Sequence, residues 1–173
     1  MAPTASAELI ATTETTAAGY TARPTNDMGG STPRPPQKGF WGMNAFMKST
    51  ATRGWGRRTY VGGVRGGGNL ARHYVFSRQP PPASVPAGVE FVNGSINAFA
   101  KRLKQERGKN IWIVGGGDII ASFLDAGAID EFIISIVPIL IGEGIPLIAP
   151  RHRDVPLDLH SVKPFPDGVV QVH

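Results

Sequence analysis

The residues from Ile111 to Ile120 constrain the fold more than any other stretch of this chain. β-Branched and aromatic residues run from Ile111 to Val114, three glycines follow, and apolar residues then return at helical spacing. This pattern predicts a buried strand, a tight turn, and a helix that begins near Asp118. The chain is therefore expected to contain a strand–turn–helix unit.

The three glycines of this turn, Gly115–Gly117, favour the close approach of another molecule. They lack Cβ atoms, so the backbone can adopt positive φ and a ligand can come near it. The first amides of the following helix have no internal partner and attract phosphate. An ordinary strand-to-helix turn explains the same residues. Asp118 favours that alternative, because its carboxylate would compete with phosphate for the amides.

Length and composition indicate one domain with a substantial core. The chain has 173 residues, of which 41% are hydrophobic, and no apolar run is long enough to span a bilayer. Residues Met1–Ala22 show no secretory signal, so we expect a cytoplasmic protein. The absence of cysteine excludes disulfides and thiolate metal sites, and no metal site is predicted. The net charge of +5 suits an anionic ligand.

The N-terminal residues 1–37 are dominated by Ala, Thr, Pro and Gly. Leu9 and Ile10 could start a short strand, but four prolines between residues 24 and 36 oppose any long regular element. We expect a poorly ordered or divergent segment over residues 1–37, followed by one domain over residues 38–173.

The middle of the chain alternates between short elements and connectors. The sequence predicts a short helix over Phe40–Lys48, a glycine-rich loop over Val61–Asn69, a strand over Arg72–Ser77, and a proline-rich connector over Gln79–Gly88. A short strand, Val89–Val92, follows. Helix and strand thus begin to alternate before the glycine turn.

A helix is predicted from about Ile96 to Arg107, with Ser95 as its N-cap. Its apolar residues recur at helical spacing and should be buried, while its charged residues should face water rather than nucleic acid. After the glycine turn, a helix to about Gly127 and strands over Glu131–Ile136, Ile145–Ile148 and Val169–Val172 are expected. This order implies an α/β fold with a parallel sheet.

Several short motifs occur together in a familiar order. They are Gly56-Arg57-Arg58-Thr59-Tyr60, Tyr74-Val75-Phe76-Ser77-Arg78, Val114-Gly115-Gly116-Gly117, Asp130-Glu131, Pro138 and Gly142-Glu143-Gly144. In this order and spacing the chain resembles the dihydrofolate-reductase-like superfamily. More narrowly, it resembles the reductase domain of bifunctional riboflavin-biosynthesis deaminase–reductases and its stand-alone relatives.

The resemblance implies a three-layer α/β fold with a mostly parallel central sheet, NADPH as cofactor, and a homodimer. It also implies a cis peptide bond between Gly115 and Gly116. Carried over by motif, the cofactor-binding residues are Gly56, Arg57, Arg58, Thr59, Ser77, Arg78, Val114, Gly115, Gly116, Gly117, Asp118 and Ile119. Among them, Arg78 is expected to favour NADPH over NADH by reaching the phosphate on the adenosine ribose.

The N-terminal third departs from the family pattern. Family members carry a segment like Ser-Leu-Asp-Gly-Tyr, whose acid lies by the substrate, whereas this chain reads Thr16-Ala17-Ala18-Gly19-Tyr20. The strand expected before Gly56 contains Arg53, for which the sequence offers no partner. No proton donor can be named from the sequence.

Two functions of different classes therefore stay open. The first is an NADPH-dependent reductase of a pyrimidine-like or pteridine-like heterocycle. The second is a catalytically impaired nucleotide-binding or interaction protein that keeps the cofactor half of the fold. Nucleic-acid binding is not favoured, because the aromatic residues do not alternate with basic ones. The apolar run Phe132–Ile141 predicts a covering layer, either a helix or a second subunit.

Overall fold

The structure is a computed structural model, and it describes residues 7–25, 40–63, 72–105 and 108–173. The strands are β1 (Leu9–Thr16), β2 (Tyr20–Ala22), β3 (Thr50–Gly56), β4 (Arg72–Phe76), β5 (Val89–Val92), β6 (Asn110–Gly115), β7 (Glu131–Val137), β8 (Ile145–Pro146), β9 (Val162–Pro164) and β10 (Val170–Val172). The helices are α1 (Met43–Ser49), α2 (Arg57–Gly63), α3 (Ile96–Gln105) and α4 (Gly117–Asp125), and a 3₁₀ turn, Phe40–Gly42, precedes α1.

Within the described residues, eight strands form the central sheet in the order β5-β4-β3-β6-β1-β7-β10-β9. The pairs from β5 to β7 are parallel, and only β10 pairs antiparallel with both β7 and β9. Strands β2 and β8 form a small antiparallel pair beside it. The predicted mostly parallel α/β fold is confirmed.

Helices cover both faces of the sheet and make three layers. Helices α3 and α4 pack on one face, which we call the core face, where Phe99, Leu103 and Phe123 meet strand residues such as Ile113. On the opposite face, Tyr60 of α2 packs with Trp55 and Val75, and the ring of Phe46 of α1 meets that of Trp112. The buried residues of both faces lie at alternate strand positions, as the pleat requires.

The predicted helix after Ser95 is present, with the predicted cap. The Ser95 hydroxyl accepts a hydrogen bond of 3.3 Å from the N–H of Ala98, and the Ser95 carbonyl accepts one of 3.0 Å from Phe99. The helix is described to Gln105, and the last two residues of the predicted span lie outside the described residues. Predicted strands at Arg72–Ser77, Val89–Val92 and Glu131–Ile136 agree with β4, β5 and β7.

The prediction of a poorly ordered N-terminal segment is wrong for residues 9–22. Strand β1 lies in the middle of the sheet, between β6 and β7, so the domain begins well before residue 38. Its Thr-rich sequence does not alternate apolar and polar residues, because a strand in the middle of a parallel sheet is covered on both faces. Hydrogen bonds satisfy the threonines: the Thr12 hydroxyl, for example, accepts 2.6 Å from the indole of Trp112.

The weak strand expected before Gly56 is also an interior strand. Strand β3 pairs with β4 and β6 in parallel. Arg53 is accommodated there by stacking, with its guanidinium carbon 5.3 Å from the ring centre of Trp112. Burial lowers the pKa of Arg53 from its usual value. The partner that the sequence did not reveal is therefore an aromatic face rather than a carboxylate.

Other boundaries differ by small amounts. Helix α2 occupies Arg57–Gly63, so the first residues of the predicted loop Val61–Asn69 are helical, and residues 64–71 lie outside the described residues. Strand β8 stops at Pro146, before the predicted end at Ile148. Strand β9 was not predicted, because Val162-Lys163-Pro164 is short and contains proline, which suits an edge strand.

Candidate functional site

A large cleft opens along the carboxyl ends of the parallel strands. Its volume is about 1690 Å³, and it is lined by residues from the ends of β1, β3, β4, β5 and β6 and from the first turns of α2 and α4. Ligands of open α/β sheets collect at this edge, because strands end and helices begin there.

All twelve residues that the sequence predicted as cofactor-binding line this one cleft. Three separate parts of the chain supply them: Gly56–Thr59, Ser77–Arg78 and Val114–Ile119. The parallel pairing of β3 with β4 and β6 brings these three strand ends side by side. That they bind a cofactor stays a prediction.

The glycine turn is closely packed against the start of α2. The Gly115–Gly116 peptide bond is cis, as expected, and Gly115 has φ +124. A Cβ on Gly116 would lie 3.3 Å from the Thr59 hydroxyl, and one on Gly56 would lie 3.3 Å from the nitrogen of Gly116. No side chain caps the N-terminus of α4, which leaves this helix end suited to an anion.

Gly117, which also lines the cleft, is packed against another segment of the protein. A Cβ there would lie 2.8 Å from the carbonyl oxygen of Pro146 and 3.1 Å from that of Leu147. The carbonyl of Gly117 also accepts a hydrogen bond of 3.2 Å from Ala149. Its missing side chain thus makes room for the 146–149 segment of the protein itself.

The three predicted arginines differ in how they are held. Arg57 donates to the carbonyl of Pro80 at 2.7 Å and to the hydroxyl of Ser77 at 3.3 Å, and it lies over the ring of Phe91. Arg58 and Arg78 are exposed, and neither pairs with another described residue. Arg57 therefore supports the β4–β5 connection, while Arg58 and Arg78 present their charges to the cleft.

Ser77 is already engaged within the protein. Besides the contact with Arg57, its hydroxyl donates 3.0 Å to the carbonyl of Gln79 and accepts 3.0 Å from the N–H of the same residue. These bonds fix the turn that follows β4. Arg78 is the next residue, so the turn sets where its side chain leaves the strand.

The other wall of the cleft contains an acid that the sequence did not single out. Glu14 lies on β1 and lines the cleft, two residues before the Thr16–Tyr20 segment that corresponds to the acid-bearing motif of the family. One carboxylate oxygen, Oε1, is buried and has no hydrogen-bond partner among the described residues. Burial raises the pKa of Glu14 to about 7. In the sequence, Glu14 is marked only as a single acid inside a Thr-rich run. Exposed strands often carry such an acid, so the pattern did not indicate a functional residue.

Two kinds of feature are absent from the described residues. No group of His, Asp or Glu side chains in residues 7–25, 40–63, 72–105 and 108–173 is arranged to hold a metal ion. In the same residues, no helix is long and apolar enough to cross a membrane.

Comparison with known proteins agrees with the fold. Residues 87–171 match the family model of the RibD C-terminal domain. Over 95% of this chain, the structure superposes on 96% of a proposed riboflavin biosynthesis protein of Shewanella sp. PV-4, with a TM-score of 0.80 and 25% identity. This chain thus resembles the RibD C-terminal domain in sequence over residues 87–171 and the Shewanella protein in fold over nearly its whole length.

Two further matches define how far this relationship extends. This chain superposes, over 96% of its length, on 56% of a diaminohydroxyphosphoribosylaminopyrimidine deaminase/5-amino-6-(5-phosphoribosylamino)uracil reductase of Thermotoga maritima, with a TM-score of 0.71 and 17% identity. It is 42% identical over 100 residues to the uncharacterized protein YwjB of Bacillus subtilis (strain 168), covering 58% of this chain and 56% of YwjB. The chain thus spans about half the length of this curated relative. The dihydrofolate-reductase-like fold is confirmed.

Proposed function

We propose that this chain is an NADPH-dependent reductase of a small pyrimidine-like or pteridine-like heterocycle, of the kind found in riboflavin or folate metabolism. One observation supports this most. A single cleft carries arginines and a glycine turn on one wall and a polar sheet face with Glu14 on the other. A dinucleotide and a flat polar ring could therefore meet within it.

The residues present fit a dinucleotide phosphate. Arg58 and Arg78 offer two cations without partners among the described residues, and the uncapped N-terminus of α4 adds oriented amides. A Cβ on Gly116 would crowd the Thr59 hydroxyl, and the glycines of this turn present backbone rather than side chains to the cleft. When bound, NADPH would supply a hydride, while these residues bind and orient it.

A preference for NADPH over NADH would rest on Arg78. The two cofactors differ by one phosphate on the adenosine ribose, and discrimination requires a group that reaches it. Arg78 is exposed at the end of β4 and is held there by the Ser77 turn. A charge-assisted hydrogen bond contributes about 1.5–3 kcal/mol, which is roughly ten- to hundred-fold in affinity.

The direct test is to titrate NADPH and then to follow its oxidation. Binding is measured by quenching of tryptophan fluorescence. Turnover is measured by loss of the reduced nicotinamide absorbance, with 5-amino-6-(5-phosphoribosylamino)uracil and with dihydropteridines as acceptors. Saturable NADPH binding together with oxidation by at least one acceptor is the expected result. Binding without oxidation by any acceptor would contradict the reductase proposal.

NADPH binding without oxidation is the outcome expected for a catalytically impaired nucleotide-binding protein. The observation in its favour is the β1–β2 turn, where Ala17 and Ala18 are exposed and carry no acid. Neither of them lines the cleft. The alternative thus depends on whether another acid in the cleft can serve the substrate.

We also propose that the chain forms a homodimer through β7, β10 and β9, on the side of the sheet that carries α3 and α4. Apolar residues of β7, β10 and β9 lie there in register: Ile134 opposite Val172, which is opposite Val162, and Ile136 opposite Val170. Val162 is 54% exposed. We call these five residues the apolar strand patch. A second copy that covers it would bury an apolar surface that the described residues leave open.

A further inference from the structure

Four polar side chains lie in one row across the strands that form the second wall of the cleft. Glu14 of β1 is directly opposite Ser135 of β7, Ser135 is opposite Gln171 of β10, and Gln171 is opposite Lys163 of β9. All four line the cleft. Residues opposite one another in neighbouring strands point to the same face, so the row is continuous. It lies on the face opposite α3 and α4.

Three members of the row have polar or ring contacts with other described residues, whereas the Glu14 carboxyl has no hydrogen bond or ion pair with any of them. The Gln171 amide donates to the Ser135 hydroxyl at 3.1 Å and to the carbonyl of Trp41 at 3.3 Å. The ammonium of Lys163 lies 5.1 Å from the ring centre of Phe165. Glu14 Oε1 is buried without a hydrogen-bond partner among the described residues. A buried polar atom without a partner is costly, and a bound ligand would remove that cost.

We propose that Glu14 contacts the substrate ring and donates the proton that accompanies reduction, while Ser135 and Gln171 position the ring beside it. This inference rests on the proposed reductase function. The resemblance places an acid by the substrate in the β1–β2 turn, and this inference assigns the role of proton donor to a strand residue. The turn of this chain has alanine where that acid would stand, whereas the strand brings Glu14 into the same cleft as the glycine turn.

The step balances with the reactants of the proposed function. A carbon–nitrogen or carbon–oxygen double bond of the substrate, in the ring or in a group attached to it, would receive at carbon a hydride supplied by bound NADPH, with NADP⁺ as the oxidised product. The protonated carboxyl of Glu14 gives its proton to the nitrogen or oxygen, which forms an N–H or O–H bond. The Glu14 carboxylate then takes a proton from water, so each turnover consumes one NADPH and one proton.

The surroundings of Glu14 favour the protonated carboxyl near neutral pH. Burial raises its pKa to about 7, which is close to the working range of a general acid. The other charged or titratable groups on this face lie on other strands. Arg53 is stacked on Trp112 of β6, and His73 of β4 lies opposite Arg53 in register and accepts a hydrogen bond from the Trp55 indole. Lys163 lies at the far end of the row, and Glu131 at the start of β7 is paired with His173. Helix α1, which also covers this face, contributes the exposed Lys48.

The test compares wild type with Glu14→Gln, Glu14→Asp and the matched control Glu143→Gln, in which the acid is exposed and outside the cleft. Infrared titration of the protein alone should show a carboxylic-acid band that disappears near pH 7 and is missing in Glu14→Gln. NADPH affinity should be equal in all four proteins. Turnover should fall at least about a hundred-fold in Glu14→Gln and less in Glu14→Asp, while Glu143→Gln matches wild type.

The pH profile gives the decisive readout. Wild-type kcat/KM should fall as the pH rises above about 7, and this limb should be lost in Glu14→Gln. Full turnover by Glu14→Gln with an unchanged profile would overturn the role of Glu14 and leave the reductase proposal intact. If wild type oxidises NADPH with none of the acceptors, the reductase proposal fails and the proton-donor role fails with it.

Discussion

The carboxylate of Asp130 accepts a hydrogen bond of 2.8 Å from the backbone N–H of Leu9. Asp130 immediately precedes β7, and Leu9 is the first residue of β1, so this bond ties the N-terminal strand to its neighbour in the sheet. The second carboxylate oxygen of Asp130 lies 2.6 Å from the ammonium of Lys104 on α3. One side chain thus joins β1, β7 and a helix of the core face.

Replacing Asp130 by Ala should destabilise the fold through this bond. The N–H of Leu9 would lose a charged acceptor, and Leu9 is completely buried. We expect a loss of about 1–3 kcal/mol in the free energy of unfolding, measured by urea denaturation. The matched variant Asp158→Ala removes an exposed acid without a described partner and should change little. Equal stability of both variants would show that β1 is held by its other contacts alone.

Gly117→Ala should destabilise the protein more than a glycine replacement at an open site. The new methyl group would lie 2.8 Å from the Pro146 oxygen, so the 146–149 segment must move. Overpacking of this kind costs about 1–3 kcal/mol. Gly142→Ala is the control, since nothing lies within 4 Å of its Cβ position. Similar urea midpoints for the two variants would contradict the packing role of Gly117.

Stability should decrease as the pH rises through the range in which Glu14 ionises. Its folded pKa of about 7 lies above the ordinary value of 4.5, so the folded protein binds more protons than the unfolded chain between these values. The protonated Glu14 side chain makes its full contribution to the free energy of unfolding below about pH 4.5, and this contribution is lost as the pH rises past 7. The difference between these two pKa values corresponds to about 3 kcal/mol in the free energy of unfolding. Because Glu14 is partly exposed, we expect an effect of roughly 1–2 kcal/mol.

Urea denaturation at pH 6 and pH 8 measures this effect. Wild type should lose stability between the two values, and Glu14→Gln should lose less because its side chain does not ionise. Glu143→Gln should follow wild type. Identical pH dependence in wild type and Glu14→Gln would show that Glu14 is not buried in the way described.

Arg78→Ala should weaken NADPH binding roughly ten- to hundred-fold and leave NADH binding nearly unchanged. The reason is that only NADPH carries the ribose phosphate that Arg78 would reach. Fluorescence titration with both cofactors measures the difference. Arg102→Ala is the control, because Arg102 is exposed on α3 and does not line the cleft. An equal loss for NADPH and NADH would mean that Arg78 serves the shared pyrophosphate or general structure.

Val162→Glu should convert the proposed dimer into a monomer. It places a charge in the apolar strand patch, where a second copy would bury it. Sedimentation at micromolar concentration measures the mass, and wild type should show twice the mass of one chain. Val155→Glu changes an exposed valine that is 43% accessible and outside the patch, and it should remain dimeric. A mass equal to that of one chain for wild type would contradict the homodimer proposal.

Local patterns in the sequence were sufficient for the elements near the glycine turn. The run from Ile111 to Val114 is uniformly apolar and stops at three glycines, and apolar residues then return at helical spacing. Strand, turn and helix therefore follow from the local order of residue types. Ser95 before an amphipathic segment marked the start of α3 in the same way. These elements were predictable because their residue types and spacing are set within a few positions of one another.

Only the tertiary structure decided the role of residues whose partners are distant in sequence. Thr-rich β1 is an interior strand because β6 and β7 pair with it, and Arg53 is tolerated because β6 supplies Trp112. Glu14, Ser135 and Gln171 become one polar row only through strand register. A parallel sheet pairs segments separated by long crossovers, so the sequence determined its parts, while the pairing determined which side chains face the cleft together.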